Sequence, residues 1–254
     1  MTINSRRVGE YGIISSASLI YYNRIGIRLQ ESLAAFEPST PFYFYSEDSK
    51  PEDSIFRPIG VECRLRQIEG LQALEKEQLH NGQSVKYRIF PFYFKVLSIQ
   101  QAFGELANQF DYLVWLDADC VLISPSGIED LIDVVRQSGS RCGYFGRPHY
   151  KCAETGVIIF STGSAKSLID DWMHTYERIR HYSEWHDAYL FSRVVSSEDT
   201  DFCRHFNLYS NHPINELCGK WLDHQKGPRK GTGSNKFRDV YWSATKNRLR
   251  KLFR

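Results

Sequence analysis

No cysteine pair in this 254-residue chain has the CxxC spacing of a zinc ribbon or a dithiol redox site, although six cysteines stand at 63, 120, 142, 152, 203 and 218. Their scatter through unrelated contexts is that of reduced thiols in a cytosolic protein. No apolar run approaches the roughly 20 residues that cross a bilayer. The opening Met-Thr-Ile-Asn-Ser-Arg-Arg also lacks the apolar stretch of a secretory signal. The expectation is a cytoplasmic chain, soluble or held peripherally at a membrane surface. Charge of one sign is scarce as well. The formal net charge is +2, too little to argue for nucleic acid as a partner. Internal repeats and low-complexity linkers are absent.

What is present is an ordinary globular balance, 42% hydrophobic and 24% charged, which excludes a mainly disordered chain. The continuous patterning favours one domain over residues 1–240, followed by a basic tail at 241–254. In that tail Lys and Arg alternate with Trp242, Leu249, Leu252 and Phe253. Such a segment could lie on an anionic membrane surface, pack as a terminal helix, or form a disordered basic end.

Periodicity gives an alternating strand–helix order. Strands are expected at 11–18, 42–45, 60–66, 112–116 and 156–160, with a short apolar run at 120–123. Helices are expected at 22–36, 67–80, 92–109, 126–137, 164–180 and 184–195, and loop beyond about 210. The rhythm predicts an α/β layered domain.

The strongest strand, Tyr112-Leu113-Val114-Trp115-Leu116, ends at Asp117-Ala118-Asp119 and is followed by Cys120-Val121-Leu122-Ile123. Ligands of open α/β sheets bind at the carboxyl ends of strands. Two carboxylates one residue apart at such an end can converge on a hard cation, Mn²⁺ or Mg²⁺. That cation would neutralise charge developing on a diphosphate leaving group. A bare DxD triplet also arises by chance as a solvated turn; its place between two apolar runs argues against that.

Residues 112–119 resemble the DxD signature of GT-A glycosyltransferases. Near the other end, His224-Gln225-Lys226-Gly227-Pro228-Arg229-Lys230 resembles the HxxGxxK segment of glycosyltransferase family 8, about 105 residues after Asp119. The resemblance implies a GT-A type, Rossmann-like mixed sheet flanked by helices. It also implies Mn²⁺ (or Mg²⁺) held by Asp117, Asp119 and His224. The nucleotide would lie against Asp117 and Ala118, with Gly227 and Lys230 on the diphosphate. Lys95, about twenty positions upstream of the motif, would contact nucleotide or pyrophosphate. Glu154, heading Glu154-Thr155-Gly156-Val157, and Asp187, in His186-Asp187-Ala188-Tyr189, would face the sugars as catalytic or positioning acids. The first strand lacks the usual acid for the base or ribose, leaving Ser15, Ser16 and Tyr21 for that work.

The implied activity is transfer of a hexose from a nucleotide sugar, UDP being the expected nucleotide, to a glycan or lipid-linked acceptor. Retention of configuration is expected; inversion would need a general base, for which Glu154 is the better candidate. Leu116-Asp117-Ala118-Asp119-Cys120-Val121 also resembles the nucleophile strand of haloacid dehalogenase-like phosphatases, though that motif normally lies close to the N-terminus. A non-catalytic carbohydrate-binding module is the other alternative.

Overall fold

The apolar runs become strands of one sheet whose two faces are both covered. In a computed structural model of the chain, residues 9–47, 63–67, 89–147, 149–178, 181–184 and 186–225 are described, 63–67 and 89–91 as backbone alone. The strands are β1 (Gly9–Ala17), β2 (Phe42–Ser46), β3 (Cys63–Gln67), β4 (Phe110–Leu116), β5 (Cys120–Leu122), β6 (Cys142–Phe145), β7 (Glu154–Ser161), β8 (Thr200–Asp201) and β9 (Leu222–His224). Seven of them form one sheet in the order β3-β2-β1-β4-β7-β6-β8, and β5 pairs with β9 in a separate ribbon. β3, β2, β1 and β4 run parallel, while β7 is antiparallel to both β4 and β6.

Burial explains why β4 reads as an unbroken apolar run. Leu113 and Trp115 enter one core with Ile14, Tyr43, Ile158 and Phe160, covered by helices α3 (Ile89–Leu106), α5 (Lys166–Glu177) and α6 (Asp187–Val194). Val114 and Leu116 enter the opposite core with Ile13, Phe44, Val157 and Ile159, covered by α2 (Ile27–Phe36) and α4 (Ile128–Ser138). A strand buried on both faces loses the polar alternation of a half-exposed one. This is a single-domain mixed α/β sheet with helices on both faces, as expected.

Local chemistry sets the helix ends. Ser18 caps the short helix α1 (Leu19–Tyr21), its hydroxyl accepting from the Tyr21 amide at 3.3 Å. A π turn at Tyr22–Gly26 joins α1 to α2, so the helix expected from 22 starts at 19. α4 carries Glu129 and Asp130 in its first turn and Arg136 in its last, and stops at Gly139 with φ 65°. A left-handed residue there suits glycine, which has no Cβ to clash.

The expectation of loop beyond 210 is corrected by α8 (Pro213–Leu217) and β9, with α7 (Phe202–His205) just before them. β6 and β8 were also not expected. These elements are two to five residues long, too short to show a period, and tertiary pairing defines them. Of the helix expected at 67–80, Gln67 ends β3 and residues 68–80 lie outside the described residues, as does the tail at 241–254. Cys120, Cys142, Cys152, Cys203 and Cys218 are free thiols. Among the described residues no helix is long and apolar enough to cross a membrane.

Candidate metal and nucleotide-sugar site

β4 delivers Asp117 to the end of the sheet, where its amide donates to the Gly156 carbonyl of β7 at 2.8 Å. A tight turn follows, the Cys120 amide donating to the Asp117 carbonyl at 2.9 Å, and the chain leaves as β5. The turn presents both carboxylates to one space. β9 then runs antiparallel to β5 and sets His224 opposite Cys120. His224 is anchored by Asn215 in α8: its amide donates to Asn215 Oδ1 at 2.7 Å, and its carbonyl accepts from Nδ2 at 2.9 Å. The Gln225 amide adds a bond to the Asp119 carbonyl at 3.0 Å.

His224 Nε2 lies 3.2 Å from Asp119 Oδ1 and 3.7 Å from Asp117 Oδ2. Two ligands of one cation, each about 2.1 Å from it and at right angles, stand about 3 Å apart. Two carboxylates and an imidazole therefore fit a Mn²⁺-like ion in both spacing and donor chemistry. The other ring nitrogen, Nδ1, faces Glu154 Oε1 at 3.8 Å, an arrangement that leaves Nε2 toward the aspartates. Gly156 makes room for the ring. A Cβ built at this position would fall 2.1 Å from His224 Cε1. Gly156→Ala is therefore expected to displace the imidazole and weaken Mn²⁺ binding by about 10–100-fold. Calorimetric titration with Mn²⁺ checks this, and unchanged affinity would mean that the ring is not a ligand.

Lys95 lines the candidate cleft and is held there by acids. Its ammonium is 2.8 Å from Asp117 Oδ1, 2.8 Å from Asp187 Oδ2 and 2.7 Å from the Thr155 carbonyl. Three acceptors match the three N–H donors of an ammonium. Lys95 thus ties the part-buried Asp117 to the buried Asp187 at the wall of the cleft. Asp117 Oδ1 also accepts from Trp115 Nε1 at 2.8 Å, and Asp187 from the Thr155 hydroxyl at 2.6 Å. Burial disfavours charge on both members of the Lys95–Asp187 pair, but their attraction prevails. Lys95 is held above its ordinary pKa by Asp117 and Asp187, and Asp187 below its own by Lys95, Thr155 and the Ala188 amide.

The remaining expected residues are distributed around a cleft of about 650 Å³. Ser16, Tyr21, Ala118, Glu154 and Asp187 line it. The Tyr21 hydroxyl donates to Asp119 Oδ2 at 3.5 Å. Ser15 is the exception. It is fully buried and not part of the lining, on the strand face it shares with Ile13. Gly227 and Lys230 lie outside the described residues.

Several lining residues were not singled out as site residues. Glu47, just past β2, accepts from the Ser16 hydroxyl at 2.8 Å, putting beside the end of β1 a carboxylate that this end of the strand itself lacks. Parallel pairing of β1 with β2, which no local pattern announces, brings them together. Arg147, at φ 40°, donates to the carbonyls of Cys152 and Ala153 and faces Glu154 at 3.4 Å. A positive φ in a non-glycine residue is strained and tends to persist where the surroundings over-determine it. A larger hollow of about 850 Å³ opens at the opposite end of the sheet, lined by Glu10, Asp111 and Arg136. Arg136 pairs there with Glu10, and among the described residues no set of metal-ligating side chains converges on it.

No protein-family model matches the chain, and no curated protein matches it. Among solved structures it is similar to the glycosyltransferase GlyE of Streptococcus pneumoniae TIGR4, with a TM-score of 0.56 over 93% of this chain. The two share a fold. Identity is 15%, and the chain spans 60% of that protein's length.

Proposed function

We propose that the chain is a metal-dependent glycosyltransferase that moves a hexose from a nucleotide sugar, UDP-linked by preference, to a glycan or lipid-linked acceptor. The observation that carries the reading is the approach of His224 to Asp117 and Asp119 across 105 residues of chain, at the carboxyl end of a sheet strand. The fold likeness to a glycosyltransferase supports transfer over the phosphatase alternative.

A cation bound by those three residues would supply Lewis-acid neutralisation of the diphosphate leaving group. The chain's own groups do the rest. Lys95 pairs with Asp117 and Asp187 and fixes their direction. Glu47, Ser16 and Tyr21 stand at the side of the cleft that suits a nucleoside, where the Glu47 carboxylate could accept from ribose hydroxyls or a base N–H. Asp187 and Glu154 stand at the sugar side. Gly227 and Lys230, by their resemblance, would close on the diphosphate. Transfer on one sugar face retains configuration and needs no separate base, because the departing diphosphate takes the acceptor proton. Of the three placements open to the basic residues at 241–254, an anionic membrane surface is the one at which a lipid-linked acceptor would be met.

The test is a panel of nucleotide sugars with Mn²⁺, scored by release of nucleoside diphosphate with and without acceptor. Turnover with a UDP-hexose, lost on chelation and regained with Mn²⁺, is expected. Turnover indifferent to chelation would overturn the metal assignment, and hydrolysis of phosphate monoesters instead would favour the phosphatase.

A further inference from the structure

Cys120 begins β5 one residue after Asp119, and the ribbon pairs it directly with His224. Facing residues of an antiparallel pair project to the same side, with their Cβ atoms about 5 Å apart. Thiol and imidazole therefore share one side of the ribbon. The Asp119 carboxylate turns into the same space. One ligand atom from each of Asp119, Cys120 and His224 lies within 4.8 Å of the other two, and all three residues are buried. Gly156 again supplies the room: its carbonyl is 3.7 Å from Cys120 Sγ, and its missing Cβ admits the imidazole.

We propose that Asp119, Cys120 and His224 form a second, softer donor set in the same centre, binding a borderline cation such as Zn²⁺ or Co²⁺ through carboxylate oxygen, thiolate sulfur and imidazole nitrogen. This rests on the assignment of Asp119 and His224 as metal ligands and adds a sulfur to it. The spacing bears on feasibility. Three atoms no more than 4.8 Å apart lie within about 2.8 Å of a common centre, against roughly 2.0–2.3 Å for zinc–ligand bonds. Sub-ångström closure of three side chains completes the set. On binding, the metal–sulfur bond forms and the thiol proton passes to solvent.

Selectivity follows from donor softness. Mn²⁺ and Mg²⁺ favour the oxygen of Asp117, whereas zinc and cobalt gain from the sulfur of Cys120. The two modes share Asp119 and His224, so one excludes the other. A thiophilic ion is thereby held in a geometry that leaves Asp117 aside, and Zn²⁺ competes with Mn²⁺ instead of replacing it in function.

Cobalt reports the donor set directly, because a thiolate ligand gives Co²⁺ a near-ultraviolet charge-transfer band that oxygen and nitrogen ligands do not. The full chain titrated with Co²⁺ is expected to show this band together with visible d–d absorption, and Zn²⁺ should bleach both. In Cys120→Ser the charge-transfer band should vanish while d–d absorption persists, and Zn²⁺ affinity should fall by about tenfold or more. Visible absorption without the charge-transfer band in the unaltered protein would overturn the sulfur ligand and leave the Asp117–Asp119–His224 site standing. No cobalt absorption at all would overturn both. A band that survives Cys120→Ser belongs to another cysteine, and Cys120→Ala repeats that comparison should the serine variant fail to fold.

Discussion

Asp119→Ala should lower nucleoside diphosphate release from the preferred nucleotide sugar by about a thousandfold, the scale on which removal of a group facing developing charge acts in a water-poor site. The residue is 4% exposed, and its carboxylate stands nearer to His224 Nε2 than that of Asp117 does. Its loss removes a negative charge from the place where a divalent ion would sit and leaves the imidazole with one carboxylate. The main chain has no reason to follow, because the Gln225 amide binds the Asp119 carbonyl, which alanine retains. Removing one of several clustered acids also relieves repulsion in the metal-free protein. Thermal stability without metal should therefore hold or rise slightly. The stabilisation of about 2.7 kcal/mol that ligand at a hundredfold excess over its Kd gives the unaltered protein should disappear. Thermal scans with and without Mn²⁺, beside the turnover assay, separate this from unfolding. Full turnover in the variant would remove Asp119 from the reaction.

Lys95→Met should unfold the domain more readily, by about 3–5 kcal/mol, since taking one partner from a buried ion pair leaves charge without compensation. Here two carboxylates depend on one ammonium, and the lost donor to Thr155 adds to the cost. For a domain of this size the melting temperature should fall by about 10 °C. The pH dependence has a definite sign. Asp187 has a depressed pKa in the folded protein, so its contribution is present above the unfolded value near 3.9 and fades as pH falls through the folded one. Lys95 is raised, so its contribution is complete below the unfolded value near 10.4 and is lost only as pH climbs through the folded one. Without the ammonium, burial is the largest influence left on Asp187 and pushes its pKa upward against the remaining Thr155 and Ala188 hydrogen bonds, so the variant loses less in acid than the unaltered protein does. The stability gap should therefore narrow below about pH 5, and Lys95→Met with Asp187→Asn should recover part of the loss at neutral pH. A gap independent of pH would mean that the pair is not ionised.

How much of this was legible in the sequence depends on the distance over which each feature is encoded. β4 was legible because burial on both faces leaves seven residues nearly continuous in apolar character, and the aspartates follow it directly. The helices at 128–138 and 166–177 were legible from their period, with ends within a few residues. β9 was not, since three residues carry no period and its strand character comes from pairing with β5. His224 could be proposed through a motif resemblance, but nothing local says that Asn215 and Gly156 prepare its place. The ion pairs of Lys95 were not legible, for a physical reason. A lone lysine among helical apolar residues looks solvated, or aimed at an anion, until the fold supplies two carboxylates from β4 and α6. Ser15 and Ser16 look equivalent in the chain, yet the pleat buries one and presents the other to Glu47.

Anomalous scattering from a crystal grown with Mn²⁺ and UDP tests the centre most directly. A single manganese peak is expected in coordination distance of the carboxylates of Asp117 and Asp119 and of His224 Nε2, with diphosphate oxygens on its open side. A peak elsewhere, or an imidazole at 224 turned away from both aspartates while nucleotide is bound, would contradict the assignment.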